Sequence, residues 1–171
     1  MQKPLYIIGY MGAGKSTLSK VLSRVLNCEN HDLDDIISSS VGKTINEIFD
    51  SEGEIVFRKI ENEQLHLTSK LSGVISVGGG TPCYYNNIEW MNLHGITIYL
   101  RAKIPTLVSR ITKEKAFLRP IFKGVSEQNL PDFIGKHLFE RQFYYEQAQI
   151  SCNVENIGWQ DELISKIVGL N

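Results

Sequence analysis

Short β-branched runs alternate along the chain with longer stretches in which apolar residues return every three or four positions. That alternation predicts an α/β domain with a mainly parallel sheet. Candidate strands are Leu5 to Gly9, Val74 to Val77, Ile96 to Leu100 and Ile150 to Val154. The clearest helix follows the first strand. Leu18, Val21, Leu22, Val25 and Leu26 repeat at helical spacing and should line its buried face, with Ser19, Lys20, Ser23 and Arg24 toward solvent. A second helix should open at Thr44, whose spacing to Glu47 is that of a capping box, ahead of a long one from about Glu54 to Leu71. Further helical patterns cover Asn86 to Leu93, Pro105 to Ile111, Asn129 to Ala148 and Gln160 to Leu170. No repeat or linker interrupts the pattern, so residues 1–171 read as one domain.

Composition narrows the classes. With 42% apolar and 22% charged residues, a chain of 171 residues can bury a real core, which excludes disorder and fibrous repeats. Eighteen Lys plus Arg against 19 Asp plus Glu leave a net charge of -1, so neither nucleic acid nor a membrane surface is an expected partner. The apolar runs fall far short of the roughly 20 residues a bilayer span needs. Met1-Gln2-Lys3-Pro4 leads straight into a strand pattern without a cleavage site or arginine-rich transit segment, so a cytoplasmic location is expected. Cys28, Cys83 and Cys152 form no Cys-x-x-Cys pair and read as free thiols. Charge is nonetheless unevenly spread. From Arg101 to Lys123 seven basic residues face the single acid Glu114, whereas from Asn27 to Gln64 ten acids face Lys43, Arg58 and Lys59.

The segment Gly9-Tyr10-Met11-Gly12-Ala13-Gly14-Lys15-Ser16 matches the P-loop pattern and sits between a predicted strand and a predicted helix, the context that pattern requires. Its glycines let backbone N–H groups turn inward around a polyphosphate, and the following helix adds unpaired donors. Lys15 would offset β- and γ-phosphate charge, and Ser16 would ligate Mg²⁺. Asp32 and Asp34 follow where a second strand should end. On an extended segment both would face the phosphates, one holding the hydrated metal and the other accepting a hydroxyl proton, with Leu33 pointing inward. An N-cap with favourable dipole charge is the alternative for this acidic triplet, which ends at Asp35. Gly78, Gly79 and Gly80 follow a strand and leave room for a small ligand to reach main-chain N–H groups. Arg58 and Glu61 share a helix face, which taken alone reads as a surface ion pair. Arg119 lies in the basic block, where it could reach a transferring phosphoryl group. Arg141 lies on a helix flanked by aromatics.

Together these residues resemble the shikimate kinases, small P-loop kinases of the nucleoside-monophosphate-kinase structural type. The resemblance runs through Gly9-x-Met11-Gly12-x-Gly14-Lys15-Ser16-Thr17, Asp32-x-Asp34, Phe57-Arg58-x-x-Glu61, Gly78-Gly79-Gly80, Leu118-Arg119-Pro120 and Arg141-x-x-x-Tyr145. It implies a three-layer α/β/α fold on a five-stranded parallel sheet in the order 2-3-1-4-5, with a lid at about 113–124 and a substrate-binding region at about 32–62. It implies transfer of the γ-phosphate of ATP to the 3-hydroxyl of shikimate, a step toward chorismate and the aromatic amino acids, by a monomer. Gly12, Ala13, Gly14, Lys15, Ser16 and Thr17 would hold the phosphates, with Arg110 against adenine. Ser16 and Asp32 would serve Mg²⁺. Asp34 would be the base, with Lys15 and the lid residue Arg119 assisting transfer. Arg58 and Arg141 would clamp the shikimate carboxylate, and Gly79 and Gly80 would add main-chain contacts.

Two features depart from the family pattern. Cys28-Glu29-Asn30-His31 is polar where a buried strand would be apolar, so the second strand is expected to be short, with His31 an edge histidine. Ile121 and Phe122 stand where two leucines are common. A kinase for gluconate or a nucleoside monophosphate is a second reading, weakened by the absence of Asp-Gly-x-Pro-Arg. A regulatory nucleotide switch or partner-binding module is a third; it lacks Asn-Lys-x-Asp and gives no reason for Asp34, Arg58 and Arg141 to occur together.

Overall fold

The computed structural model describes residues 3–113, 120–122 and 124–169. Five parallel strands, β1 (Leu5–Ile8), β2 (Asn30–Asp32), β3 (Val74–Ser76), β4 (Ile96–Arg101) and β5 (Ile150–Asn153), form one sheet in the order β2-β3-β1-β4-β5. Helices α1 (Lys15–Leu26), α2 (Leu33–Val41), α3 (Ile45–Leu67), α4 (Asn87–His94), α5 (Ile104–Lys113), α6 (Leu130–Tyr145) and α7 (Trp159–Val168) cover both faces. Strand β1 lies at the centre with all four residues buried, as its unbroken apolar run requires. Strand β2 is the reverse case. It forms the sheet edge and bonds only to β3, so the polar run through Asn30 and His31 needs no apolar cover on its outer side.

The buried face of α1 differs from the expected one. Leu18 and Leu22 are buried, but so are Ser19 and Ser23, while Val25 is half exposed. The helix packs on β2 and β3, and its small residues Ser19 and Ser23 are buried. The two hydroxyls donate back to the carbonyls of Ser16 and Lys20 at 3.2 and 3.1 Å, so their burial leaves no unpaired polar atom. Periodicity alone gives weight to side-chain hydrophobicity and misses this close approach.

Thr44 caps α3 in a full capping box with Glu47. The α3 path breaks at Gly53 (φ 81°, ψ 173°), just where two helices were expected to meet. The second part ends at Leu67 and continues as a 3-10 turn over Thr68–Lys70. Much of the anticipated lid, including Arg119, lies outside the described residues; Pro120–Phe122 forms a 3-10 turn. Phe122 is buried and packs edge-on against Phe133 with ring centroids 5.6 Å apart. Among the described residues no helix is long and apolar enough to cross a membrane, and all three cysteines are free.

Candidate functional site

Parallel strands deliver their following loops to one sheet edge, and the candidate residues collect there. The loop after β1 bends through Gly9, Gly12 and Gly14, all with positive φ. At Gly9 a Cβ would also lie 2.8 Å from the Leu100 carbonyl, so no other residue fits without displacing β4. Gly14 is the N-cap of α1, and no side chain caps that first turn. Its N–H groups therefore edge a cavity of about 440 Å³ lined by the loop from Met11 to Thr17, by Asp32 and Asp34, and by Arg110. The Lys15 ammonium donates to the Gly9 and Tyr10 carbonyls at 3.0 and 3.2 Å. Arg110, on α5, donates through Nη1 to the Gly12 and Ala13 carbonyls, both at 3.1 Å. Trp159 and Gln160, at the start of α7, close the far side.

The acidic pair is not on one extended segment, contrary to the alternation expected for it. Asp32 ends β2 and is the N-cap of α2, so Asp34 already lies in the first helical turn. The cap and the site coincide. One Asp32 oxygen accepts the Asp34 N–H at 3.0 Å, and the other accepts the Ser76 hydroxyl at 2.7 Å, which fixes the carboxylate in the cavity wall. Ser76 was visible only as a polar break in an apolar strand. Among the described residues no group of three His, Cys, Asp or Glu could hold a metal by itself. A hydroxyl at Ser16 and a carboxylate at Asp32 fit instead the sparse protein ligation that Mg²⁺ accepts when phosphate oxygens and waters complete its shell.

A second cavity, of about 570 Å³, adjoins the first and is lined by Asp34, Arg58, Arg141, His137, Glu61 and Gly80 among others. Arg58 and Glu61 are not the surface pair that their spacing suggested. Arg58 is 8% and Glu61 1% exposed, and they bond at 2.7 Å. The pair is buried because Gly80 has no side chain: a Cβ there would sit 2.5 Å from Nη2 of Arg58. Gly78 is similarly tight against Glu61 and Thr81, whereas Gly79 has ordinary space around it. The glycine run therefore makes room for the arginine and its glutamate partner. Glu61 also accepts the Thr81 hydroxyl at 2.5 Å. On its other side Arg58 meets Glu54 at 3.3 Å and lies over the Tyr84 ring at 4.4 Å. Burial opposes its charge, but Glu61, Tyr84 and Glu54 together push the guanidinium above its ordinary range.

Arg141 reaches the same cavity from α6, with its guanidinium 5.7 Å from the Tyr10 ring centroid. Tyr145, one turn on, is buried and donates its hydroxyl to the Gly79 carbonyl at 2.5 Å, tying α6 to the glycine loop. Burial drives that phenol's ionisation far above its usual range, so it remains a donor. Cys83 lies close by, its thiol pushed up to about 11, chiefly by burial, which keeps it protonated. The residues that sequence reasoning passed over, Glu54, Ser76, Thr81, Tyr84 and His137, share one property. Each makes a contact to a residue 20 or more positions away, Glu54 to Tyr84 among them, which no local pattern signals.

The two cavities share a wall. Met11, Asp34, Gly78 and Gly79 line both, so a group held in the phosphate cradle and one held between the arginines would meet at Asp34.

Comparisons with known proteins identify the family. The family model described as shikimate kinase matches residues 11–170. A shikimate kinase of Flavobacterium johnsoniae is 41% identical over 155 residues, 89% of this chain and 90% of that protein. One from Flavobacterium psychrophilum is 39% identical over 157 residues, 90% of this chain and 91% of that protein. Among solved structures, a shikimate kinase from Bacteroides thetaiotaomicron superposes with a TM-score of 0.87 at 37% identity, covering 98% of this chain and 97% of the other. One from Acinetobacter baumannii, solved in complex with shikimate, has a TM-score of 0.84 at 32% identity and covers 99% of this chain and 93% of its own.

Proposed function

Because this chain belongs to the shikimate kinase family, we propose that Asp34, Arg58 and Arg141 present shikimate to an ATP held by the loop from Gly12 to Thr17. The protein is an ATP- and Mg²⁺-dependent kinase that transfers the γ-phosphate to the 3-hydroxyl of shikimate. The observation that carries the residue assignment is the wall shared by the two cavities, with Asp34 on it.

Arg58 and Arg141 bring two planar cationic forks to a cavity of small-acid size, the chemistry a carboxylate needs. With the acid anchored there, a ring hydroxyl falls to Asp34, whose carboxylate accepts its proton as phosphoryl transfer proceeds. Lys15 exchanges its loop carbonyls for phosphate oxygens and, with the loop N–H groups, offsets charge that develops in transfer. Ser16 would ligate Mg²⁺ and Asp32, held by Ser76, would contact it through water; the ion supplies further charge on the phosphates. Arg110 and Trp159 bound the end of the cradle where the nucleoside would lie. Arg119, in the lid of about 113–124, would reach the phosphoryl group. We take the working unit to be a monomer. The whole of 1–171 then acts as one domain, with the acceptor region at about 32–62 supplemented by Gly79, Gly80 and α6. The net charge of -1 fits neither a nucleic-acid nor a membrane partner, and a cytoplasmic location suits these small soluble substrates.

The test is coupled ADP release with ATP and Mg²⁺ across shikimate, gluconate and nucleoside monophosphates, for wild type and for Arg58→Lys and Arg141→Lys. ADP release should require shikimate and Mg²⁺. Each Lys variant should raise KM for shikimate by about tenfold or more, since an ammonium cannot reproduce a bidentate fork. An unchanged KM in both would remove the arginines from the acceptor site.

A further inference from the structure

One polar group in the acceptor cavity has no task in the mechanism above. His137 lies on α6 one turn before Arg141 and lines the same cavity. Its Nδ1 is 3.3 Å from the Tyr10 hydroxyl, which follows β1 at the entry to the phosphate loop. The ring is held further by Phe133, with centroids 4.8 Å apart, and by the Tyr10 ring at 6.3 Å, edge to face. Tyr10 is itself buried, 2% exposed, and lies beside the Arg141 guanidinium. A histidine wedged between two aromatic rings and tied to a buried phenol has a fixed orientation. Such a site could be built from apolar residues if its only duty were packing.

Resting on the functional reading above, we propose that His137 is a further determinant of acid recognition, donating Nε2–H to the carboxylate end of shikimate beside Arg141, with Tyr10 as its positioning residue. The Tyr10 phenol is pushed up to about 12, mainly by burial, so it stays an O–H donor at neutral pH. We assign the Tyr10 hydroxyl as the donor of the 3.3 Å contact, which makes Nδ1 the acceptor and places the ring's own proton on Nε2. Among the described residues Nε2 has no hydrogen-bond partner, and His137 is a half-buried residue of the cavity lining. The imidazole is held below its usual range, first by burial and then by Arg141 and Lys136, against opposing pulls from Glu140 and Glu54. With Tyr10, these are the charged and titratable groups among the described residues that act on it from α6, α3 and the loop after β1. A bound carboxylate counters the Arg141 field, so acid binding favours proton uptake at Nδ1, with the Tyr10 hydroxyl turning from donor to acceptor there.

Calorimetric titration of shikimate into wild type, His137→Leu, His137→Asn and Tyr10→Phe tests the assignment, alongside ATP binding and steady-state kinetics. Loss of a hydrogen bond to a charged group should raise the acid's Kd in His137→Leu by about tenfold or more, with ATP affinity and kcat at saturating acid retained. His137→Asn, which keeps an N–H donor, should recover part of that loss, and Tyr10→Phe should raise Kd by about threefold through lost orientation. Near pH 6, binding enthalpies measured in buffers of different ionisation enthalpy should show proton uptake in wild type that vanishes in His137→Leu. A Kd within twofold of wild type in His137→Leu overturns the proposal. So does an equal loss of ATP affinity, or proton uptake that survives the substitution. Failure of wild type itself to bind shikimate would instead sink the functional reading beneath it.

Discussion

Removing the Glu61 carboxylate, as Glu61→Ala, separates a buried ion pair from a surface one. Glu61 is 1% exposed and accepts from Arg58 at 2.7 Å and from Thr81 at 2.5 Å. Without it the Arg58 guanidinium, itself 8% exposed, keeps Glu54 at 3.3 Å as its one ion-pair partner among the described residues, and that carboxylate is more than half in water. Breaking a buried pair from one side costs about 3–5 kcal/mol, whereas a surface pair is worth about 0–1 kcal/mol. Glu54 and the adjoining cavity give Arg58 somewhere to turn, so the low end of that range applies, about 3 kcal/mol. At about 2–4 °C per kcal/mol for a chain of this size, the melting temperature should fall by roughly 6–12 °C. Thermal unfolding followed by far-UV circular dichroism without ligands measures it. The companion variant Arg58→Met with Glu61→Leu, which removes both charges and keeps volume, should regain most of the loss while abolishing acid binding. A fall below about 2 °C in Glu61→Ala would show that water screens the pair and would refute the argument.

Other substitutions test the site piecewise. Gly80→Ala meets no backbone strain at φ -90°, but its methyl would overlap the Arg58 fork. It should raise KM for shikimate by about tenfold or more through lost bidentate geometry while leaving ATP affinity unchanged; an unchanged KM would mean that Arg58 binds elsewhere. Asp34→Asn should lower kcat by about 10²- to 10⁴-fold with ATP still bound, and turnover equal to wild type would exclude it as the base. Ser76→Ala frees one oxygen of Asp32, so half-saturation by Mg²⁺ should rise by about tenfold. A Mg²⁺ titration that overlays wild type would leave Asp32 without a role in orienting the ion.

The parts readable from sequence were those whose function is local. Gly9, Gly12 and Gly14 need positive φ within one turn, and Lys15 and Ser16 follow them at once, so the phosphate loop is a continuous string in which spacing is geometry. The capping box at Thr44 and the break near Gly53 are local in the same sense. The strands flanking the centre were readable because a doubly covered strand must be apolar throughout. Strand β2 was not, since an edge position relaxes that demand and lets Asn30 and His31 stand where a central strand would bear valine or isoleucine. The buried face of α1 escaped for a related reason: Ser19 and Ser23 are buried for their small size, a property hydrophobic periodicity does not score.

Burial explains the rest. Arg58 and Glu61 have the same spacing whether they lie on a wet surface or inside, and Gly80, about 20 positions away, decides between the two by leaving the space the guanidinium fills. The acidic block that carries Glu54 and Glu61 is thus more than a solvated face, because its carboxylates hold a cationic fork in place before any acid arrives. Glu54, reaching Arg58 from the exposed side at 3.3 Å, is the weaker holder, and under the proposed function an incoming carboxylate would displace it while Glu61 stays in place. The fork is therefore oriented by a buried partner and guarded by an exchangeable one. That division lets a strongly desolvated arginine remain available to ligand, and it follows from the difference in burial of two glutamates seven residues apart on one helix.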